Sequence, residues 1–332
     1  MTVLLTGGTG YIGSHTATAL SEAGHEVILL DNFCNSHRAI LERLEKIVGK
    51  SVPCIEGDVR DTALVKRTLQ EYGVEVVIHL AGLKAVGESV KTPLNYYENN
   101  VHGTLSLLRA MDEADVNNMI FSSSATVYGD PQYLPIDEDH PLAPTNPYGR
   151  TKLYIEQILE DHVRANDNIK VVNLRYFNPV GSHSSALLGE DPRGIPNNLM
   201  PFMARVASGE LKELSVFGDD YPTMDGTGVR DYIHVVDLAE GHVAALEFLP
   251  RSTGFETFNL GTGSGFSVLQ VIQSYEVACG KKIPYQIVKR RPGDIASCYT
   301  DPNKANAVLK WKANRSLSEM CLSSWDFQRR LN

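Results

Sequence analysis

The sequence predicts an α/β fold: a doubly wound parallel sheet first, then a smaller mixed domain. Three observations carry that expectation. Short runs rich in Val, Ile and Leu, without polar alternation, recur through the first half, as parallel strands covered on both faces require. Helix-period patterns separate those runs, giving βαβ alternation. Past Phe177 the texture changes, and "NPVGSHSSALLGEDPRGIPNNLMP" is rich in Gly, Pro and Asn. At 332 residues the chain is also longer than one core usually serves.

The strands expected in order are Val3–Thr6, Val27–Asp31, Val52–Glu56, Val76–Leu80, Met119–Ser122 and Val171–Arg175. Ile12, Thr16, Ala19, Leu20 and Ala23 recur at helical spacing over Tyr11–Ala23, and Gly24 supplies the stop. Tyr97, Val101, Leu105, Leu108 and Met111 predict one helix over Asn95–Asp112. In "HVVDLAEGHVAALEFL", Asp237 reads as an N-cap with Glu240 three residues on. That helix and the following "FNLG", within 231–262, are expected to rejoin the first domain, so the division is 1–176 and 177–332.

A net charge of −9 argues against a nucleic-acid partner, which calls for a basic face. Five scattered cysteines without a C-x-x-C pair fit reduced thiols and neither a metal site nor a disulfide framework. No apolar stretch approaches the ~20 residues of a membrane span, and the chain opens on a strand without a charged leader. The expectation is a cytoplasmic protein with no membrane partner.

Behind the first strand comes "TGGTGYIG", residues 6–13, with Gly7, Gly10 and Gly13 at every third place. The spacing is wider than G-x-G-x-x-G. Strand, glycine turn and helix N-terminus still present backbone N–H groups to a pyrophosphate, as in a Rossmann-type fold. The second strand ends in Asp31, where a carboxylate accepts from a ribose diol and repels a 2′-phosphate, so NAD is favoured over NADP. Asp58, in "GDVRD", lies near an adenine or caps a helix.

Ligands of open α/β sheets sit outside the carboxyl ends of the strands. After the fourth strand comes "HLAGLKAVGES", small at Ala81 and Gly82. After the fifth comes "SSSATVYG", with hydroxyls at Ser122, Ser123 and Ser124. Then "NPYGRTKLYIEQ" opens a helix at Pro147 and Tyr148, and Lys152 shares a face with Tyr148 one turn on. A phenol of reference pKa about 10 needs about 4 kcal/mol to work near pH 7. An ammonium ~4 Å away supplies ~1 kcal/mol in water and ~4 at an effective dielectric of ~20. A partly desolvated cleft beside NAD⁺ meets that requirement, and Ser124 is placed to hydrogen-bond the same substrate oxygen.

With these residues the chain resembles the extended short-chain dehydrogenases/reductases, and within them the UDP-galactose/UDP-glucose 4-epimerases. "TGGTGYIGSHT", "LDNFCNS", "EGDVRD", "AGLKAVGESV", "NNVHGT", "FSSSATVYGD", "PYGRTK", "RYFNPVG", "GEDPRGIPNNLMP" and "GTGVRDYIHV" carry the likeness in order, nearly end to end. The resemblance implies reversible 4-epimerisation through a 4-keto sugar, with one tightly held NAD that is not consumed. Tyr148 would move the 4-hydroxyl proton, Lys152 would hold the nicotinamide ribose and lower the Tyr148 pKa, and Ser124 would share the oxygen.

By the same resemblance Tyr11 and Ile12 would contact the cofactor, as would Asp31, Asn32, Asn35 and Ser36. Asp58 and Val59, Leu80 to Gly82, Lys84, Asn99, Ser122 and Phe177 complete that set; Leu80 stands where some members have Phe. On the substrate side Lys84 also serves. Arg230 and Arg291 match diphosphate ligands, whose forked donors suit phosphate oxygens. Asn178, Asn198 and Leu199 match sugar and phosphate contacts, Ser215, Val216 and Phe217 a uracil pocket, and Asp294 a ribose contact. Without the family, surface ion pairing (Arg230 with Asp231) or loop capping explains those residues. Cys298 stands where several bacterial members have Tyr, which implies a roomier pocket and turnover of UDP-GlcNAc and UDP-GalNAc as well. A homodimer through helices near 95–112 and 148–164 is also implied.

Two other readings compete. A dehydratase carries Asp-Glu after the active-site hydroxyl for proton work; here Ala125 and Thr126 stand there. A decarboxylase on the same fold stays open. An NAD-binding sensor without catalysis has no need of Ser124, Tyr148 and Lys152 together.

Overall fold

The computed structural model describes residues 1–291 and 293–331. Its strands are β1 Thr2–Thr6, β2 Glu26–Asp31, β3 Cys54–Glu56, β4 Val76–His79, β5 Asn118–Ser124, β6 Lys170–Tyr176, β7 Asn178–Val180, β8 Leu214–Phe217, β9 Val229–His234, β10 Phe255–Leu260, β11 Gly265–Ser267, β12 Tyr285–Val288 and β13 Ser297–Cys298. The helices are α1 Tyr11–Glu22, α2 Ala39–Val48, α3 Thr62–Glu71, α4 Val86–Lys91, α5 Pro93–Tyr96, α6 Gly103–Glu113, α7 Pro147–Ala165, α8 Leu199–Ser208, α9 Val235–Phe248, α10 Val268–Cys279, α11 Asn303–Val308 and α12 Leu317–Leu331.

The doubly wound sheet that the sequence predicts is present. Seven strands run parallel in the order β10-β6-β5-β4-β1-β2-β3. Successive residues alternate between two apolar layers. Val3, Leu5, Leu29 and Ile78 pack with Leu20 of α1 and Leu238 and Leu246 of α9. Leu4, Ile28, Val77 and Met119 face the other way, onto Leu69, Leu107, Ile155 and Leu159 of α3, α6 and α7. Burial of each such side chain is worth about 1.5–3 kcal/mol. A sheet covered on both faces leaves only its strand ends open for a site.

β1 leads outward to β2 and β3, and the chain then returns to place β4 on the other side of β1. The loops after β1 and β4 therefore diverge, opening a crevice at this switch point. They begin in contact: Gly7 has φ +69, and a Cβ there would lie 2.8 Å from the Ala81 nitrogen.

Two smaller sheets follow. In one, β9 pairs antiparallel with β11 and parallel with β7 and β13; in the other, β8 pairs parallel with β12. Leu214 and Val216 of β8 and Tyr232 of β9 share a core with Met203, Val206, Ile272, Tyr275 and Trp325 of α8, α10 and α12. From β9 the chain passes into α9, which packs on α1, and β10 then adds to the large sheet beside β6.

Several local expectations need correction. The single helix over 95–112 is instead α5, a π-helical stretch at Tyr97–His102, and α6. The wide turn brings Asn100 onto the loop after β4: its carboxamide accepts from Leu83 N at 2.8 Å and donates to Leu83 O at 3.0 Å. The third strand starts at Cys54 rather than Val52, and the fifth continues to Ser124 because β6 pairs with it through Tyr176. Asp237 is not the cap of α9. His234 is, its Nδ1 accepting from Val236 N at 3.1 Å, and Asp237 is buried in the first turn against Arg315.

Candidate active site

Asn146 caps α7 by accepting from Gly149 N at 2.9 Å, and Pro147 takes the first helical place, where no N–H is needed. That start sets Tyr148 in the first turn, partly buried at the crevice, and Lys152 one turn deeper. The Lys152 ammonium donates to the Ser122 carbonyl at 2.5 Å and lies 4.8 Å from the centre of the Phe121 ring. Burial pulls it down to about 8, against the opposing pull of Glu156. Ser124 ends β5 and accepts from Thr126 Oγ1 at 3.0 Å.

The Tyr148 phenol stands above its ordinary value, because burial outweighs the hydrogen bond from Ser124. The implied lowering by Lys152 is thus not built into the protein alone. The ammonium is held by a strand carbonyl, and lowering the phenol takes further positive charge in the crevice.

The three glycines do different work. A Cβ on Gly13 would lie 2.3 Å from the Gly7 carbonyl oxygen, so Gly13 serves the loop's own packing, while Gly7 lets the loop approach Ala81 after β4. A Cβ on Gly10 would meet only that oxygen, at 3.2 Å, and Gly10 caps α1 with no side-chain acceptor and no acid in the first turn. The helix N-terminus is left open to an anion. Asp31, at the end of β2, accepts from Thr9 N at 3.0 Å and Phe33 N at 2.9 Å, and Ser36 bonds Thr9 Oγ1 at 2.7 Å. Glycine cradle, open helix end and carboxylate fit a dinucleotide with a free ribose diol.

Around it, Tyr11 donates to the Gly181 carbonyl at 2.7 Å, tying α1 to the loop after β7, and Ile12 packs on the sheet core. Asn32 donates to Asp58 at 3.0 Å; the Arg60 guanidinium holds that carboxyl well below the usual range. Asp58 is not a helix cap: Asp61 caps α3, accepting from Leu64 N at 3.0 Å. Asn35 is exposed, Val59 is buried, and Gly82 and Asn99 both border the Asn100 carboxamide.

On the far wall Arg230 donates to its neighbour's carbonyl at 2.8 Å, while Asp231 is buried against Thr262, Gly263 and Thr300. The surface pair Arg230–Asp231 does not form, because adjacent strand residues point to opposite faces. Arg291 lies 4.3 Å over the Phe217 ring and pairs with Asp294 at 3.1 Å. Cys298 is buried with Val127, Tyr128, Ile136 and Phe177, and Ala125, next to Ser124, packs against that cluster. Asn178 is exposed at the start of β7, and Asn198 and Leu199 open α8.

Residues 3–261 match the model of the NAD dependent epimerase/dehydratase family. The chain belongs to that family. A Bacillus subtilis UDP-glucose 4-epimerase is 56% identical over 99% of this chain and 97% of its own length. The UDP-glucose 4-epimerase of Homo sapiens is 52% identical over 98% and 96%. A crystal structure of UDP-glucose 4-epimerase from Bifidobacterium longum in complex with NAD+ and UDP superposes with TM-score 0.97 at 56% identity, covering 99% of this chain and 98% of that one.

For this family member, motif reading missed Glu190, Glu156 and Arg175. Glu190 Oε1 accepts from two expected site residues, Lys84 at 3.0 Å and Asn198 at 2.6 Å. The loop around it carries no periodicity that singles it out. Glu156 had a signal: it follows Lys152 by one turn on the same helix face.

Proposed function

We propose that this chain catalyses the reversible 4-epimerisation of UDP-galactose and UDP-glucose, using NAD that stays bound through turnover. One observation carries the reading. Ser124 ends β5, Tyr148 opens α7 within reach of its hydroxyl, Lys152 follows one turn on against the Ser122 carbonyl, and Ala125 and Thr126 follow the serine in place of an acidic pair. That set moves a proton at one hydroxyl and has no acid or base for elimination.

The glycine cradle and Asp31 would hold NAD, which when bound supplies a reversible two-electron acceptor beside the sugar. Tyr148 takes the proton from the 4-hydroxyl and returns it once the keto sugar has turned its other face. Ser124 steadies the oxygen through both transfers. Lys152 holds positive charge in the crevice, so the phenol titrates lower with ligands present. Arg230 and Arg291 hold the diphosphate, so the sugar can turn while the nucleotide stays seated. Phe217 and its neighbours on β8 receive the uracil, and Asp294 its ribose.

Small Cys298 extends the substrate range to UDP-GalNAc and UDP-GlcNAc in this reading. The exposed apolar residues Val86, Val90, Leu94 and Tyr154, on α4, α5 and α7, support a homodimer. Unpaired thiols support a cytoplasmic setting, and among the described residues no helix is long and apolar enough to cross a membrane. The test is NMR of UDP-galactose with the protein and no added NAD. Conversion to UDP-glucose is the expected result; a Tyr148→Phe variant should keep the fold and lose about 10²–10⁴-fold in rate. Unchanged UDP-galactose with folded protein would sink the proposal.

A further inference from the structure

Lys152 and Glu156 share one face of α7 and are both buried, at 5% and 4% exposure. Arg175 of β6, also 5% exposed, clamps the carboxylate from the other side, with Nη2 at 2.7 Å and Nε at 3.1 Å. The Ser123 hydroxyl donates to the same carboxylate. Behind it, Arg175 Nη1 donates to Tyr128 Oη at 2.9 Å, and that phenol donates to Asn259 at 2.6 Å.

Stability is a poor reason for such a pair, since desolvating two ions offsets most of their attraction and an apolar pair packs as well. The charge balance around Lys152 gives a better one. Lys152 and Arg175 are two buried cations, and Glu156 is the anion that pairs with Arg175 and stands one helical turn from Lys152. Without it, like charges share a dry site, and the ammonium sheds its proton because a guanidinium does not. Consecutive β5 residues join the groups mechanically: the Ser122 carbonyl holds Lys152 and the Ser123 hydroxyl holds Glu156.

We propose that Glu156, braced by Arg175, is a positioning residue that keeps the Lys152 ammonium charged and seated on β5 from outside the reacting crevice. This rests on the epimerase reading, in which Lys152 serves Tyr148. The other groups facing Lys152 leave the task to Glu156. His79 of β4 is neutral, burial taking it down to about 3. Tyr148 on α7 and Tyr176 on β6 are both raised by burial and uncharged. Ser122 of β5 contributes only its dipole.

The test uses the full-length protein carrying isotope-labelled lysine, with the Lys152 signal identified by its loss in Lys152→Met. The signal is titrated in the wild type, in Glu156→Gln and in Glu156→Gln/Arg175→Gln, and the pH profile of kcat is recorded for each. In Glu156→Gln the midpoint falls by about one pH unit or more, and the alkaline limb of kcat moves with it. The double variant recovers part of that shift, because the repulsion from Arg175 is gone. An unchanged midpoint in Glu156→Gln, or a fall at least as large in the double variant, overturns the proposal. If Glu156→Gln does not fold, the double variant decides: a midpoint below wild type supports it and an unchanged one overturns it. Wild-type turnover of UDP-galactose, measured alongside, tests the epimerase reading separately from this titration.

Discussion

Lys84 and Glu190, 106 residues apart in sequence, meet at 3.0 Å across the crevice, and Asn198 donates to the same carboxylate oxygen at 2.6 Å. An anion already built into the wall thus occupies two groups expected to meet the anionic substrate. Lys84 is 47% exposed, so solvent screens the pair and its worth is at most ~1 kcal/mol. Glu190→Gln is expected to lower KM for UDP-galactose by up to ~5-fold with kcat little changed. Steady-state kinetics check it, and a raised KM would instead make Glu190 a substrate contact.

The glycine loop yields a paired prediction. Gly13→Ala forces a Cβ to 2.3 Å from the Gly7 carbonyl and is expected to cost about 1–3 kcal/mol or more of stability. Gly10 has φ −69, which any residue adopts, and little near its missing Cβ. Gly10→Ala is therefore expected to unfold within about 0.5 kcal/mol of the wild type while losing at least ~10-fold in NAD affinity. Urea unfolding and the nicotinamide content of the purified protein separate the two effects.

How much of this was legible in the sequence follows from which interactions are local. Tyr148 and Lys152 were readable because one helix period relates them, and Gly7 because a strand and helix flank it. The end of β5 was not. Polar Ser123 and Ser124 break the apolar run, and they stay extended because Arg175 and Tyr176 pair beside them. Asp237 resembles a cap in sequence, yet Arg315, 78 residues on, takes its carboxylate into the core. Glu190 and Arg175 acquire partners only through tertiary packing, which no period encodes. Cofactor and substrate roles were legible chiefly through resemblance.

Acid lability follows from buried neutral histidines. Burial lowers His15 and His79 to about 3 and His242 to about 4, from an ordinary 6.5. Below the ordinary value the unfolded chain binds protons that the folded one refuses, so stability falls as pH drops. Each histidine contributes about 1.4 kcal/mol per pH unit inside that window. Urea midpoints from about pH 7 down to about pH 5 should decline steeply. His242→Gln should remove about one proton from the slope, whatever it costs at neutral pH. An unaltered slope would show that His242 is already charged in the fold.

Cys298 gives the last prediction. It is 7% exposed and lies in the layer formed by Val127, Tyr128, Ile136 and Phe177, with Ala125, the residue after Ser124, packed against it. A thiol fills little of that layer. A tyrosine at the same point of β13 adds a ring that a packed layer resists, so in the proposed reading that ring takes its space on the sugar side. In the proposed reading the 4-hydroxyl chemistry assigned to Ser124 and Tyr148 is untouched by that change, whereas an N-acetyl group needs the volume the ring would take. Cys298→Tyr is therefore expected to cut UDP-GalNAc turnover by at least ~10-fold, as a pocket that loses space discriminates by about 1–3 kcal/mol. UDP-galactose turnover should stay within about 3-fold of wild type. Parallel kcat/KM measurements on the two sugars check it, and equal losses on both would mean the ring disturbs the layer rather than the pocket.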